Sequence, residues 1–362
     1  MVNTHLKSAF QKSKSTILIV IIGFSLLASI YSNIENYKAI ATTTKLTNNQ
    51  TNTKPIATSY NQTNTNTNIT NHTSNSTTKE FTLIAEEAVL DISPSKKIKA
   101  WTYNGSIPGP TLRVTEGDKV IVHFINKLDL PHTIHFHGGH NGTMDGVFEI
   151  VAPNKTFTYE FTAAPSGALM YHCHVMPVVE HVRMGLYGAF IVDPKTPLPP
   201  AKEFVVVFGD YDTKDIHISD PESAFYNGYE NIYYENPLPV YTNETARVYL
   251  INLSQLPAYG YHVHGTLFKT WISGIWMNEP IHTQTWATSS GDAAIFEMKW
   301  PWEGQYVFHQ HGIPEDRGAM GYFNVSKPIP DLIDGKDIAN TKPVNMIEWQ
   351  ENLTRILQNA TL

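Results

Sequence analysis

Cysteine and positive charge are both scarce in this sequence. Cys173 is the only cysteine among 362 residues, which excludes an intrachain disulfide. The 26 lysines and arginines are outnumbered by 33 aspartates and glutamates, giving a formal net charge of −7. A chain without a basic surplus is a poor match for a phosphate backbone, so nucleic acid is not an expected partner.

Long apolar runs are also scarce. The clearest one, residues 16–31, is 16 residues long and follows three lysines within the first 14 residues. This length is near the lower limit for spanning a bilayer, and a basic segment before a short apolar run is typical of a secretory signal. Residues 1–35 are therefore predicted to be a signal peptide or a membrane anchor. The protein is predicted to be exported, to the cell surface, the extracellular space or a periplasm-like compartment.

The next segment, residues 36–79, is rich in threonine and asparagine and has few apolar side chains. Such a tract cannot bury enough surface to offset the entropy of ordering, so it is predicted to be a disordered linker. From residue 80 onward the sequence changes to short β-rich runs such as "KVIVHFIN", "TFTYEFT" and "GAFIVD". Runs of this length, ended by glycine, proline or asparagine, are typical of sandwiches or barrels.

The β-rich part is duplicated. "GDKVIVHFINKLDLPHTIHFHG" parallels "ETARVYLINLSQLPAYGYHVHG", and "PSGALMYHCH" parallels "WEGQYVFHQH", at a spacing of about 130 residues. We therefore predict two similar β-sandwich domains, residues 80–195 and 196–327, which meet in the proline-rich "DPKTPLPPAK". The remaining residues, 328–362, are predicted to be a tail with one short amphipathic helix in "VNMIEWQENLTRIL".

Histidine pairs are the most specific signal. Residues i and i+2 of a strand face the same side about 6.5–7 Å apart, so two such imidazoles can bind different ions of a close metal cluster. One His-x-His motif would more commonly be a pair of solvated or core side chains. Sixteen histidines in 362 residues would produce fewer than one such pair by chance, yet each half-chain has two. The pairs are His135/His137, His172/His174, His262/His264 and His309/His311.

The lone cysteine lies inside one of these pairs. On a strand, the Cys173 thiolate faces away from His172 and His174, so a single strand could hold two metal centres. A thiolate with two imidazoles and a weak axial ligand is the trigonal blue-copper site of electron-transfer proteins. His132 and His181 are available as the two imidazoles.

These motifs together resemble the copper-ligand motifs of the multicopper oxidases. The motifs are "HTIHFHG", "HCH" with the later "GLYGAF", "HVHG" and "HQH", and the resemblance covers about residues 81–325. It is strongest with the two-domain, trimeric branch that is related to the copper nitrite reductases. The resemblance implies an all-β fold of two tandem cupredoxin-like Greek-key β-sandwich domains. It also implies a homotrimer with four copper ions per subunit.

The resemblance implies a role for each ligand. Type 1 copper would be held by His132, Cys173 and His181, and type 2 copper by His135 and His262. Cys173, His135 and His262 are accordingly the predicted catalytic residues. The two type 3 coppers would take the other cluster histidines: His137, His172, His174, His264, His309 and His311. In this family the cluster lies between domain 1 of one subunit and domain 2 of the next.

Some positions have more than one interpretation. Leu186, at the commonest family spacing from His181, would be a non-coordinating axial residue, while Met184 is the nearest sulfur and the alternative axial ligand. Gln310 replaces cysteine in domain 2, so only domain 1 is expected to carry a blue site. Three acids are candidates for delivering protons to the cluster: Asp145, Glu315 and Asp316.

Four histidines have no predicted ligand role and are interpreted as surface or outer-layer residues: His123, His140, His217 and His282.

The expected function is an oxidase. Single electrons from a small reducing substrate or a cupredoxin donor would reduce O2 to water at the cluster; the sequence does not identify the donor. The main alternative is a copper nitrite reductase, but His135 stands where those enzymes have an aspartate. A copper carrier without turnover is a second alternative. A zinc hydrolase is disfavoured, because eight histidines with a separate cysteine do not match zinc catalytic sites.

Overall fold

The computed structural model describes residues 76–217 and 220–328. The predicted signal or anchor segment, most of the predicted linker and the tail with its predicted helix lie outside these residues. Among the residues that are described, no helix is both long and apolar enough to cross a membrane.

The first domain is a sandwich of two four-stranded sheets. Its elements are β1 (Thr78–Ser93), β2 (Lys96–Tyr103), β3 (Gly109–Thr115), β4 (Lys119–Asn126), β5 (His135–Phe136), a 3-10 turn (Gly142–Met144), β6 (Thr156–Thr162), β7 (Gly167–His172), α1 (Val178–Arg183) and β8 (Tyr187–Asp193). The sheet orders are β2-β1-β4-β6 and β3-β8-β7-β5. In β4 the buried Val120, Val122 and Phe124 alternate with more exposed residues, as expected for a strand with one face on a core. Side chains of both sheets form that core.

The second domain is a larger sandwich. Its elements are β9 (Lys202–Tyr211), β10 (Ser223–Tyr226), α2 (Ile232–Glu235), β11 (Asn236–Tyr241), β12 (Ala246–Asn252), β13 (Tyr259–Val263), β14 (Phe268–Ile272), β15 (Ile281–Thr283), β16 (Thr285–Thr288), β17 (Asp292–Met298), β18 (Gly304–Gln310), α3 (Ile313–Asp316) and β19 (Met320–Ser326). The sheet orders are β10-β9-β12-β17-β14-β15 and β11-β19-β18-β13-β16. An aromatic-rich core lies between them. The predicted all-β fold of two tandem sandwiches is confirmed.

Equivalent strands pair alike in the two domains. β1 runs parallel to β4, and β9 runs parallel to β12. β5 pairs with β7 so that His135 lies opposite His172, and β13 pairs with β18 so that His262 lies opposite His309. The repeated register therefore brings two His-x-His motifs side by side in each domain.

The two domains pack through sheet faces. In β8, Phe190 and Val192 face the domain 1 core, while Tyr187, Ala189 and Ile191 belong to a separate cluster that includes side chains of domain 2. β7 alternates in the same way, with Tyr171 in the domain 1 core and Met170 in the shared cluster. Because both faces are covered, β7 is buried at every residue.

Candidate metal centres

Three side chains of domain 1 converge in a buried group that we call the blue site: His132, Cys173 and His181. Cys173 directly follows β7, His181 lies in α1, and His132 is fixed by backbone hydrogen bonds with Val151. Cys173 Sγ lies 3.6 Å from His132 Nδ1 and 3.3 Å from His181 Nδ1, and the two Nδ1 atoms are 3.1 Å apart. These are the three residues predicted for type 1 copper.

The blue site fits a metal ion. An ion at the centre of this triangle would lie about 2 Å from each donor atom, close to metal–nitrogen and metal–sulfur bond lengths. Burial lowers the pKa of His132 to about 3, with a further contribution from His181, so its imidazole is neutral and can donate a lone pair. Burial raises the pKa of the Cys173 thiol, so a metal ion would have to displace its proton.

The two axial candidates lie in different surroundings. Leu186 is fully buried in the same apolar cluster as Cys173, and its carbonyl accepts the Cys173 N–H at 3.0 Å. Met184 packs against the cluster shared between the domains, and its sulfur accepts a hydrogen bond from Tyr211 Oη at 3.7 Å. Of the two predicted axial candidates, Leu186 therefore lies beside Cys173, whereas the Met184 sulfur is engaged by Tyr211.

The predicted cluster histidines of domain 1 form the second group: His135, His137, His172 and His174. His137 Nε2 and His172 Nε2 are 3.2 Å apart, and the rings of His135 and His174 lie 5.3 Å apart between centroids. His135 Nδ1 bonds the Asp145 carbonyl at 2.8 Å, and His172 Nδ1 bonds the Cys173 carbonyl at 2.9 Å. A carbonyl can only accept, so Nδ1 carries the proton and Nε2 presents a lone pair to the group.

Burial keeps His137 and His172 of this group neutral. Burial, together with the neighbouring imidazoles, lowers the pKa of His172 to about 3 and that of His137 to about 4. Two neutral lone pairs aimed at each other at 3.2 Å suit a shared cation.

Domain 2 supplies the matching group: His262, His264, His309 and His311. His264 Nε2 and His309 Nε2 are 3.4 Å apart, while His262 Nδ1 bonds the Gln284 carbonyl at 2.6 Å. His309 is buried, but His264 and His311 are exposed on this chain. Gln310 occupies the position in domain 2 that Cys173 occupies in domain 1. It is fully buried and has no thiol that could bind a metal ion.

Carboxylates contact both groups. Asp145 Oδ2 lies 3.4 Å from His135 Nδ1, and the Glu315 carboxylate contacts His309 Nδ1. Two of the three predicted acids thus reach cluster histidines, whereas Asp316 is exposed.

One of the histidines without a predicted ligand role lies close to the site. The His140 side chain is buried, and its Nε2 lies 3.1 Å from Asp145 Oδ1. His140 therefore belongs to the outer layer of the site rather than to the surface. Its position five residues before Asp145 was the only sequence signal for this contact.

The two histidine groups remain separate within one chain. Three sets of metal-ligating side chains converge among the described residues: the blue site; His135, His137 and His172; and His309, His311 and Glu315. None of these sets combines domain 1 with domain 2.

Comparisons with known proteins indicate the family of this chain. The sequence model of the multicopper oxidase family matches residues 85–197. A crystal structure of a multicopper oxidase is 39% identical and superposes with a TM-score of 0.66, covering 69% of this chain and 89% of that one. The copper-containing nitrite reductase of Neisseria meningitidis serogroup A is 34% identical over 263 residues, 66% of this chain and about two thirds (67%) of that protein. Laccase-15 of Oryza sativa is 36% identical over 152 residues, 38% of this chain and 24% of that protein.

Fold and site together define a copper oxidoreductase built from cupredoxin-like domains. The chain belongs to the multicopper oxidase family, a family to which the copper nitrite reductases are related.

Proposed function

We propose that this protein is a copper oxidase that takes single electrons at the blue site and reduces O2 to water at a three-copper cluster. When bound, the copper ions supply the redox chemistry, and the protein supplies geometry and the exclusion of water. The electron donor is a small reducing substrate or a cupredoxin.

The chain connects the two centres covalently. Cys173 faces the domain 1 core with His132 and His181, while the neighbouring His172 belongs to the other group. A short path from Cys173 Sγ through the backbone to the His172 and His174 rings therefore joins the electron entry point to the cluster.

The cluster requires a second subunit. Each domain presents four imidazoles, and no convergent set among the described residues joins the two domains. A trimer in which domain 1 of one subunit faces domain 2 of the next would complete all eight ligands. The exposure of His264 and His311 on the isolated chain supports this arrangement.

One observation favours an oxidase over a nitrite reductase. Each domain contains a convergent imidazole pair, with Nε2 atoms 3.2 Å apart for His137/His172 and 3.4 Å apart for His264/His309. Two such pairs provide for two coppers beyond the one held by His135 and His262. Nitrite reduction needs one electron per nitrite, whereas reduction of O2 to water needs four, and several adjacent metals can deliver them together.

The test measures O2 uptake and nitric oxide production on the same copper-loaded sample. With a one-electron donor, we expect O2 uptake of one molecule per four electrons and little nitric oxide from nitrite. His309→Ala should reduce O2 uptake by at least about 100-fold, because loss of a ligand exceeds the 10–100-fold effects of outer-layer changes. His282→Ala, at an exposed histidine outside the site, is the matched control and should match the parent.

The nitrite reductase remains the second candidate because of the 263-residue match to such an enzyme. Rapid anaerobic nitric oxide production with negligible O2 uptake would establish that alternative and refute the oxidase.

A further inference from the structure

The segment after the blue-site ligand His181 is held by domain 2. Three consecutive residues of β9 contact it: Gly209, Asp210 and Tyr211. Arg183 Nε lies 2.7 Å from Asp210 Oδ2, and Tyr211 Oη donates to Met184 Sδ. A methyl group on Gly209 would lie 2.3 Å from the hydroxyl of Tyr187, so only glycine permits that approach.

The Arg183–Asp210 ion pair is almost completely buried. The side chains are only 2% and 1% exposed. Arg183 also donates to the Ile216 carbonyl at 2.7 Å, and the other Asp210 oxygen accepts the Gln255 N–H. A buried ion pair gains little net stability over apolar side chains of similar volume, but its hydrogen bonds fix a geometry.

The same segment forms part of the blue site. His181 is two residues before Arg183, and α1 ends at Arg183. Leu186 packs beside Cys173, and its N–H donates to the His181 carbonyl at 3.3 Å. One side of residues 181–187 therefore builds the blue site, and the other side is attached to β9.

We propose that Arg183 and Asp210 are positioning residues that fix His181 Nδ1 in the blue site by anchoring its segment to domain 2. The proposal rests on the proposed type 1 copper site. It predicts that the geometry of that site depends on an interdomain contact as well as on its own ligands.

The test replaces the pair by apolar side chains, as Arg183→Met/Asp210→Leu. Such replacements of buried ion pairs commonly preserve stability, so the variant should fold while losing the directional anchor. The control is Arg113→Met. Arg113 also reaches from domain 1 to β9, through Glu203, but about 23 Å along the strand from Asp210.

Two measurements distinguish the anchor from a general contribution to domain packing. In the copper-free protein, amide hydrogen exchange across residues 178–187 should be at least tenfold faster in the double variant and unchanged in Arg113→Met. In the copper-loaded protein, the double variant should show an altered copper hyperfine splitting and a shifted reduction potential of the blue copper, with the cluster copper retained. The exchange result does not depend on copper, so it stands even if the proposed oxidase function fails.

Parental exchange rates and a parental blue-copper spectrum in the double variant would overturn the proposal. So would unfolding of that variant, since the pair would then serve the fold as a whole. Equal changes in Arg113→Met would assign the effect to general domain packing and refute it as well.

Discussion

At the residue scale, Cys173 decides what the blue site can do. Its sulfur is fully buried, lies within 3.6 Å of two imidazole nitrogens and faces away from the adjacent cluster histidines. A thiol in this position packs as a small apolar side chain and becomes a strong ligand once its proton is displaced.

Serine at position 173 should separate the two copper centres. Cys173→Ser removes the thiolate, so we expect the intense blue absorption to disappear while cluster copper remains bound. O2 uptake with an external donor should fall by at least about 100-fold, because the electron entry point is lost. Absorption spectra and copper counts per chain test this against the His282→Ala control. A blue band that survives in Cys173→Ser would exclude Cys173 as the ligand.

At the element scale, β5, β7 and the residues next to them bury imidazoles that are neutral in the folded chain. The pKa values of His132, His137 and His172 are about 3, 4 and 3, against an ordinary value near 6.5. The histidines are therefore neutral in the folded chain at pH values where they are protonated in the unfolded chain.

This difference predicts an acid-sensitive copper-free protein. Between pH 6.5 and about 4 the unfolded chain binds more protons, so the free energy of unfolding should fall as the pH falls. Below pH 6.5, each histidine lowers the free energy of unfolding by up to about 1.4 kcal/mol for each pH unit. Above pH 6.5 these histidines are neutral in both states, so they cause no further change. Urea unfolding at pH 7.5, 6 and 5 tests the slope. His137→Gln should reduce it and the exposed His282→Gln should not; equal slopes in all three proteins would contradict the prediction.

The sequence predicted the site best where metal-ligating residue types follow the side-chain alternation of a strand. Strand alternation predicted that Cys173 and its neighbours His172 and His174 serve different centres, whereas His132 and His181 were assigned to the blue site by the family resemblance, and the structure brings both to Cys173. Strand register is not encoded locally, so the opposition of His135 and His172 across β5 and β7 emerged only in the structure. The contact of Arg183 with Asp210 joins two domains, and no local pattern marks either residue.

At the scale of the whole molecule, the two histidine groups predict that activity belongs to an assembly. If each cluster takes domain 1 from one subunit and domain 2 from the next, two inactive variants should complement each other. His137→Ala damages only the first half and His309→Ala only the second. Random assembly of equal amounts should restore about a quarter of the parental sites.

The complementation is measured as O2 uptake after the mixed chains are unfolded, refolded together and loaded with copper. The matched control mixes His137→Ala with the double variant His137→Ala/His309→Ala, which contains no intact domain 1 half and should stay inactive. Light scattering should give three chains per particle. No recovery in the first mixture, or a monomer with full activity, would show that the cluster forms within one chain.

The placement of the ligands also sets an order of maturation. All three blue-site residues come from domain 1 and their segment is anchored to domain 2, so a single chain with both domains folded could load that copper. If the cluster forms between subunits as proposed, it would be completed only when subunits meet. In that case an unassembled chain could accept an electron at the blue site but could not reduce O2 to water.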